Sequence, residues 1–143
     1  MRTRLSLHNN SADFVRLTEF ATEFSRQNQL PDEERARLLI ILDELFTNVV
    51  EYGYESAAAE GHIDVALSLQ AGRLMIEFVD DGRPFDPLTK APPDLDVPVD
   101  ERSLGGVGIA IVRALVDEIG YRWDGNRNRL TLGRDVLRPP AIR

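Results

Sequence analysis

The 143-residue sequence contains no cysteine and only two histidines, His8 and His62. Without cysteine, neither a disulfide framework nor a thiolate metal site can form, and a reducing compartment is permitted. The two histidines lie far apart in the sequence, so the sequence gives little support for a histidine-based metal centre or catalytic triad.

Positive charge is also scarce, with 17 basic against 24 acidic residues and a net charge of -7. Such a chain is a poor candidate for binding the phosphate backbone of a nucleic acid. No apolar run is long enough to span a bilayer, and the N-terminus "MRTRLSLHNNSADF" lacks the apolar core of a secretory signal. We therefore expect one cytoplasmic globular domain with no direct nucleic-acid or membrane contact.

The hydrophobic periodicity predicts helices interspersed with strands. "RLSLHN" is typical of an edge strand, and a helix capped by Ser11 follows it. A second helix is expected from near Pro31 to about Tyr52, with Gly53 as its stop. Two strands joined by "QAGR" come next, then a helix over "VGIAIVRALVDEIG" and a hairpin "YRWDGNRNRLTL" that turns at "GN".

Glu44 and Asn48 stand at the border of the apolar face of the second predicted helix. Residues four apart differ by about 40° around a helix, so both side chains project to the same side. Asparagine offers a neutral oxygen to a hard cation such as Mg²⁺, and a glutamate one turn earlier can accept a proton nearby. A solvated helix edge is the simpler interpretation of this pair taken alone.

The stretch "VDDGRPFDP" places Asp80 at the end of a predicted strand and Gly82 just after it. A carboxylate only accepts hydrogen bonds, so it can select a ligand with an exocyclic amine such as adenine, and glycine lets the backbone approach a flat ring. An ordinary strand-ending turn is the alternative.

Gly105, Gly106 and Gly108 stand directly before an apolar-periodic helix, where free backbone amides attract phosphates. A packing or flexible-turn role is the alternative, and the cluster fits neither a Walker loop nor a dinucleotide fingerprint. Between the two glycine clusters, residues 82–103 hold five of the eight prolines and show no regular period. Loops of this length inside a compact domain are usually functional or disordered.

Taken together and in this order, the three elements resemble the GHKL (Bergerat-fold) ATP-binding superfamily over nearly the whole chain. Within it, the sequence is similar to the small single-domain anti-sigma-factor serine/threonine kinases. "DELFTNVVEYGY" resembles their N-box, "VDDGRPFDP" their first glycine box, and "GGVGIAIVRALVDEIGYRWDGNRNRLTL" their second glycine box with the strands that follow.

The resemblance implies a role for each matched position. Glu44 would be the catalytic base, and Asn48 would bind a Mg²⁺ ion that bridges the ATP phosphates. Asp80 would accept a hydrogen bond from the adenine amine, with Gly82 beside the ring. The remaining ATP-binding positions would be Gly105, Gly106, Val107 and Gly108 near the phosphates, and Thr131 on the last strand at the adenine end.

The sequence departs from the family pattern at several positions. "RPF" stands where a further glycine is frequent, and Asp81 competes with Asp80 for adenine, although the Asp-x-Gly spacing favours Asp80. Lys90 is the only lysine, so positive charge near the phosphates falls to Arg83 or Arg102.

The implied fold is an α+β two-layer sandwich, a mixed, mainly antiparallel sheet covered on one face by three helices. The ATP-binding domain would span residues 1–133, with an ATP lid over about 82–103 and a loosely ordered tail over 134–143. The chain would phosphorylate a serine or threonine of a small antagonist protein and sequester a sigma factor or equivalent regulator. Members of the family also work as homodimers.

Two other functions remain in view. A histidine-kinase catalytic domain shares the ATP site, but it usually carries a basic residue where this chain has Glu51. A nucleotide-gated protein-binding module would keep the fold and bind ATP without phosphorylating protein.

Overall fold

The computed structural model describes residues 2–54, 60–89 and 104–136, with the backbone alone at 89 and 104–107. The helices are α1 (Ser11–Gln27), α2 (Asp32–Tyr52) and α3 (Leu104–Leu115). The strands are β1 (Arg2–His8), β2 (His62–Gln70), β3 (Arg73–Asp80), β4 (Glu118–Asp124) and β5 (Arg127–Asp135). A short 3-10 turn over Pro87–Thr89 follows β3.

The strands form one sheet in the order β1-β2-β3-β5-β4, with β1 and β4 at its edges. Every pairing among the described strands is antiparallel. The two-residue turn between β4 and β5 has Gly125 at φ 73°, a conformation that glycine adopts without steric cost. The predictions of a mainly antiparallel sheet, three helices and an N-terminal edge strand are therefore confirmed.

The core lies between the sheet and the helices, because alternate strand residues point to the helical layer. β3 and β5 bury Leu74, Ile76, Phe78, Leu130 and Leu132 on that side. Helix α2 lies in the middle of the helical layer, since it contacts both α1 and α3. None of the helices within the described ranges combines the length and apolar composition needed to cross a bilayer.

Three predicted helix boundaries need correction. The cap of α1 is Asn10, whose side-chain Oδ1 accepts a hydrogen bond from the backbone N of Asp13 at 2.9 Å, and Ser11 is the first helical residue. Helix α3 already begins at Leu104, so the glycine cluster lies within its first five residues. The same helix ends at Leu115, because Ile119 and Tyr121 alternate toward the core and pair with β5.

The predicted domain boundary at residue 133 falls inside β5, which continues to Asp135. Arg134 pairs with Leu74 of β3, and Val136 is 7% exposed in the core. The ordered domain therefore reaches at least Val136. Residues 137–143 and residues 90–103 of the predicted lid lie outside the described residues.

Candidate functional site

A cleft of about 480 Å³ opens between α2, α3 and the ends of β3 and β5. This volume includes open solvent at the mouth of the cleft, and the enclosed cavity volume is about 40 Å³. The apolar part of its lining is formed by Leu45, Val49, Phe78, Ile109 and Leu130, and the polar part includes Asn48, Asp80, Arg83, Tyr121 and Asn128. An apolar cleft with a few convergent polar groups is the usual form of a ligand site.

Asn48 brings an unsatisfied oxygen to this cleft. Its side-chain Oδ1 is buried and has no hydrogen-bond partner in the described part of the chain. A buried carbonyl oxygen left without a partner costs about 1–3 kcal/mol, which binding a cation or a donor would recover. The amide oxygen is a ligand type that Mg²⁺ accepts, so the residue fits the predicted metal position.

Glu44 lies one turn before Asn48, beside the cleft and against α3. A Cβ placed on Gly108 would stand 2.4 Å from Glu44 Oε2, so the missing side chain of Gly108 makes room for this carboxylate. Across the described residues, no hydrogen bond or ion pair involves the Glu44 side chain. Burial raises the pKa of Glu44, and the negative charges of Asp43 and Glu51 raise it further. The result is a carboxylate with increased proton affinity and with no partner among the described side chains, which suits a general base.

Asp80 is the cleft carboxylate, 7% exposed at the end of β3 on the helix-facing side. Its Oδ1 accepts hydrogen bonds from Gly82 N at 2.9 Å and from Asn128 Nδ2 at 3.0 Å. Burial raises the pKa of Asp80, the bonds from Asn128 and Gly82 oppose that rise, and the charge of Asp81 adds to it. Oδ2 accepts no hydrogen bond from a described residue, so it is available to a donor on a ligand.

The neighbouring carboxylate, Asp81, binds Tyr54 and His62 and does not line the cleft. Its Oδ1 accepts hydrogen bonds from Tyr54 OH at 2.7 Å and from His62 N at 2.9 Å. Burial raises the pKa of Asp81, but these two bonds, together with the charge of His62 and the backbone N–H of Asp81 itself, hold that pKa below its ordinary value. Of the two candidates left open by the sequence, Asp80 therefore faces the cleft.

Gly82 lets the chain after β3 pass close to the end of α2. A Cβ on Gly82 would lie 2.6 Å from the backbone oxygen of Gly53. The next residue, Arg83, donates from its backbone N to Gly53 O and from Nη2 to Tyr52 O, both at 2.8 Å. Its guanidinium therefore binds the carboxyl end of α2, while the other candidate cation, Arg102, lies outside the described residues.

Asn128 of β5 is a site residue that the sequence reasoning missed. Its side chain is 7% exposed and accepts hydrogen bonds from Tyr121 OH at 2.6 Å and Phe85 N at 2.9 Å. It donates to Asp80 Oδ1 and to Arg83 O, at 3.0 and 2.8 Å. The signal was available in "NRLTL", because Asn128 shares strand parity with Leu130 and Leu132 and so had to face the core.

The predicted position of Thr131 at the cleft is wrong. Thr131 is exposed and pairs with Glu77 and Gly120, while its neighbours Leu130 and Leu132 face the helices. Strand alternation therefore turns Thr131 to the opposite face of the sheet. The three other residues predicted near the phosphates, Gly105, Gly106 and Val107, begin α3 together with Gly108, and only their backbone is described.

Comparisons with known proteins identify the family of the chain. Residues 7–134 match the family model described as histidine kinase-like ATPase domain. Because the match covers most of the chain, the protein belongs to the histidine kinase-like ATPase domain family. The resemblance inferred from the sequence motifs is thereby confirmed at the level of the family.

A curated relative is the serine-protein kinase RsbW of Bacillus licheniformis, 31% identical over 91 residues. The match covers 61% of this chain and 56% of that protein, so it spans a little over half the length of the relative.

Solved structures share the fold. The RsbU and RsbW domains of Rv1364c from Mycobacterium tuberculosis superpose with a TM-score of 0.69 at 19% identity, over 97% of this chain and 33% of that one. A blue-light activated histidine kinase domain from Erythrobacter litoralis EL346 gives a TM-score of 0.53 at 20% identity, over 87% and 60% of the two chains. At these identities the likeness concerns the fold.

Proposed function

We propose that the chain is a Mg²⁺- and ATP-dependent serine/threonine protein kinase of the anti-sigma type. It would phosphorylate a small antagonist protein and hold a sigma factor or equivalent regulator in a partner-switching pathway. The observation that carries this proposal is that Asn48 and Asp80 line one cleft, with Glu44 one helical turn before Asn48 and next to Gly108. The likeness to a serine-protein kinase supports protein as the phosphate acceptor.

The cleft suits the adenine end of ATP. Oδ2 of Asp80, which accepts no hydrogen bond from the described residues, would accept one from the exocyclic amine, while Oδ1 remains held by Gly82 and Asn128. The apolar wall, including Phe78 and Leu130, would pack against the base. Because residue 82 is a glycine, its backbone can lie close to Gly53 beside this pocket.

The other end of the cleft suits the phosphates and the reaction. Asn48 would hold Mg²⁺ through its unpartnered Oδ1, and the ion supplies positive charge to phosphate oxygens when bound. The backbone amides of the first residues of α3 would face the phosphates at the positive end of the helix dipole.

Glu44 would act as the base. As the acceptor hydroxyl oxygen bonds to the γ-phosphorus and the bond to the ADP oxygen breaks, Glu44 would take the hydroxyl proton. Its raised pKa increases its affinity for that proton, and no described partner competes for the carboxylate.

The test combines calorimetry with transfer of radiolabelled phosphate from ATP to candidate small antagonist proteins. Asp80→Asn should weaken ATP binding at least tenfold, because an acceptor facing an amine becomes partly a donor. Glu44→Gln should bind Mg²⁺ and ATP like the parent and lose transfer. Asp32→Asn, at an exposed position at the start of α2, is the matched control and should change neither.

Each outcome separates two possibilities. A parent protein that binds no ATP would refute the nucleotide site altogether. Tight ATP binding without phosphate transfer to any antagonist would refute the proposed kinase activity. The chain would then be a nucleotide-gated protein-binding module. If Glu44→Gln transferred phosphate at the parental rate, Glu44 would not be the catalytic base.

A further inference from the structure

A second cluster of ligand-type side chains lies where β1 ends and β2 begins. His8, Glu60 and His62 place one ligand atom each within 4.8 Å of one another. His8 and His62 are direct partners in the antiparallel register, and their ring centroids are 5.0 Å apart. His8 Nδ1 lies 3.8 Å from Glu60 Oε1. Both histidines of the chain therefore meet at one point.

The cluster faces away from the proposed ATP cleft. The adjacent pair, Leu7 and Ile63, is buried against the helices, so alternation turns His8 and His62 to the outer face of the sheet. All three cluster side chains are accessible: His8 and Glu60 expose 47% and 75% of theirs, and His62 is also exposed. A metal ion could reach them directly from solvent.

The backbone beneath the cluster is held firmly on both strands. Gly61 N donates to Asn9 Oδ1 at 2.7 Å, which ties the residue between Glu60 and His62 to the end of β1. His62 N donates to Asp81 Oδ1, and a Cβ on Gly61 would meet the Tyr54 ring at 2.2 Å. The backbone at His8 and His62, and at Gly61 next to Glu60, is thus constrained, while the exposed side chains of the three candidate ligands can still rotate.

We propose that His8, Glu60 and His62 form a binding site for a divalent transition-metal ion of the zinc class, with a fourth position open to water. Two imidazole nitrogens and one carboxylate oxygen form a donor set that zinc accepts with a solvent ligand. Bond lengths of about 2.1 Å in a tetrahedron require ligand atoms about 3.4 Å apart. Side-chain rotation can bring the three atoms together over the remaining distance.

The donor set distinguishes this site from the proposed magnesium position. Imidazole nitrogen favours zinc, copper and nickel, whereas Mg²⁺ prefers oxygen ligands. The two sites lie on opposite faces of the sheet and share no residue. The zinc-class site therefore does not depend on the proposed kinase function, and each can fail without the other.

Isothermal titration of the full-length, untagged and metal-free protein with Zn²⁺ tests the proposal. The expected result is one ion per chain with a micromolar Kd. His8→Gln and His62→Gln should each weaken binding at least tenfold, and Glu60→Gln should weaken it less. Glu19→Gln, an exposed glutamate on α1, and Asn48→Ala should keep the parental Kd, which separates this site from general carboxylate binding and from the cleft.

A spectroscopic measurement on the parent keeps the test independent of how the variants fold. The parent has only two histidines, so their ring signals in NMR spectra can be followed individually. The ring signals of both histidines should shift together and saturate at one equivalent of Zn²⁺. In a separate titration, Co²⁺ should give the intense visible absorption of a four-coordinate site. Unchanged ring signals at saturating Zn²⁺, or stoichiometric binding retained by the His8→Gln/His62→Gln double variant, would overturn the proposal.

Discussion

Asn128 uses its whole hydrogen-bonding capacity on neighbours in three parts of the chain. Its oxygen accepts from Tyr121 of β4 and from Phe85 N, and its NH₂ group donates to Asp80 of β3 and to Arg83 O. One buried amide thus holds the segment after β3 against the sheet and orients the cleft carboxylate. Such a satisfied network is costly to break, because its members stay buried when one partner is removed.

Asn128→Ala should therefore lower the free energy of unfolding by about 1–3 kcal/mol. It should also weaken ATP binding, since Asp80 loses the donor that fixes its Oδ1. Urea denaturation and calorimetry measure the two effects. Asn126→Ala, in the exposed β4–β5 turn, is the control and should stay within about 0.5 kcal/mol of the parent. Equal stability of both variants would contradict the proposed role of the network.

The raised pKa of Glu44 predicts the pH dependence of phosphate transfer. A base acts when deprotonated, so the rate should rise with pH through a midpoint above the ordinary glutamate value of 4.5. Asp43→Asn removes a negative charge that raises this pKa, so the midpoint should move to lower pH. Initial transfer rates across the acidic range measure it, with Glu19→Gln as the distant control. An unmoved midpoint in Asp43→Asn would assign the titration to another group.

At the scale of elements, α2 and α3 meet closely where Gly108 faces Glu44. Alanine is normally favoured over glycine inside a helix by about 1 kcal/mol. At this position, the added Cβ would stand 2.4 Å from Glu44 Oε2 and would displace a flexible carboxylate. The glycine is thus better explained by the placement of Glu44 than by helix stability.

Gly108→Ala should leave the thermal midpoint unchanged or raised, yet lower phosphate transfer at least tenfold, because the base is displaced. In a Glu44→Gln background, the same substitution should cause no further loss of transfer. Gly120→Ala is the matched control, since a Cβ there meets nothing within 4 Å. Parental transfer by Gly108→Ala would show that the carboxylate tolerates displacement.

Arg134 joins three elements at the opposite end of α2. Its Nε donates to Glu34 Oε1 at 2.8 Å and its Nη2 to Glu34 Oε2 at 3.1 Å, while Nη1 donates to the carbonyl oxygen of Leu115 at the end of α3. The hydrogen bond from Arg134 lowers the pKa of Glu34, although burial opposes this. The pair is largely shielded, with 18% and 11% of the two side chains exposed.

This pair predicts how stability depends on pH. Because the pKa of Glu34 is depressed in the folded state, its contribution is present above 4.5 and is lost as pH falls through the lowered folded value. Glu34→Gln should flatten that acidic loss in urea denaturation series. At neutral pH, Arg134→Met should lower the free energy of unfolding by about 1–2 kcal/mol. The loss is smaller than for a fully buried ion pair, because both side chains keep some contact with solvent.

The control for Arg134→Met is Arg35→Met. Arg35 pairs with a highly exposed Asp32, so its loss should cost under about 1 kcal/mol. An acidic loss of stability that is as steep in Glu34→Gln as in the parent would place the responsible carboxylate elsewhere.

At the scale of the whole molecule, the two faces of the sheet carry different chemistry. The inner face is covered by the helices and ends in the cleft of Asn48 and Asp80. The outer face carries charged side chains, among them Glu77 paired with Arg2 and Arg129, and the histidine cluster at one end. The fold thus presents the proposed nucleotide site and the proposed metal site on opposite sides of a single layer.

Local sequence patterns were sufficient to predict the elements and the order of the motifs. Apolar residues repeat at helical or strand spacing, so the three helices and five strands of the described residues were predictable, although the predicted end of α3 ran into the residues that begin β4. Glu44 and Asn48 were predictable as a pair, because positions one turn apart share a helix face whatever surrounds them.

Which separated residues meet depends on how the strands pair in three dimensions. The antiparallel register brings His8 to His62, and the pairing of β3 with β5 brings Asn128 to Asp80. Strand alternation in that register also turned Thr131 away from the cleft. Such contacts depend on strand order and register, which arise from the packing of the whole core and are not encoded by any short stretch of sequence.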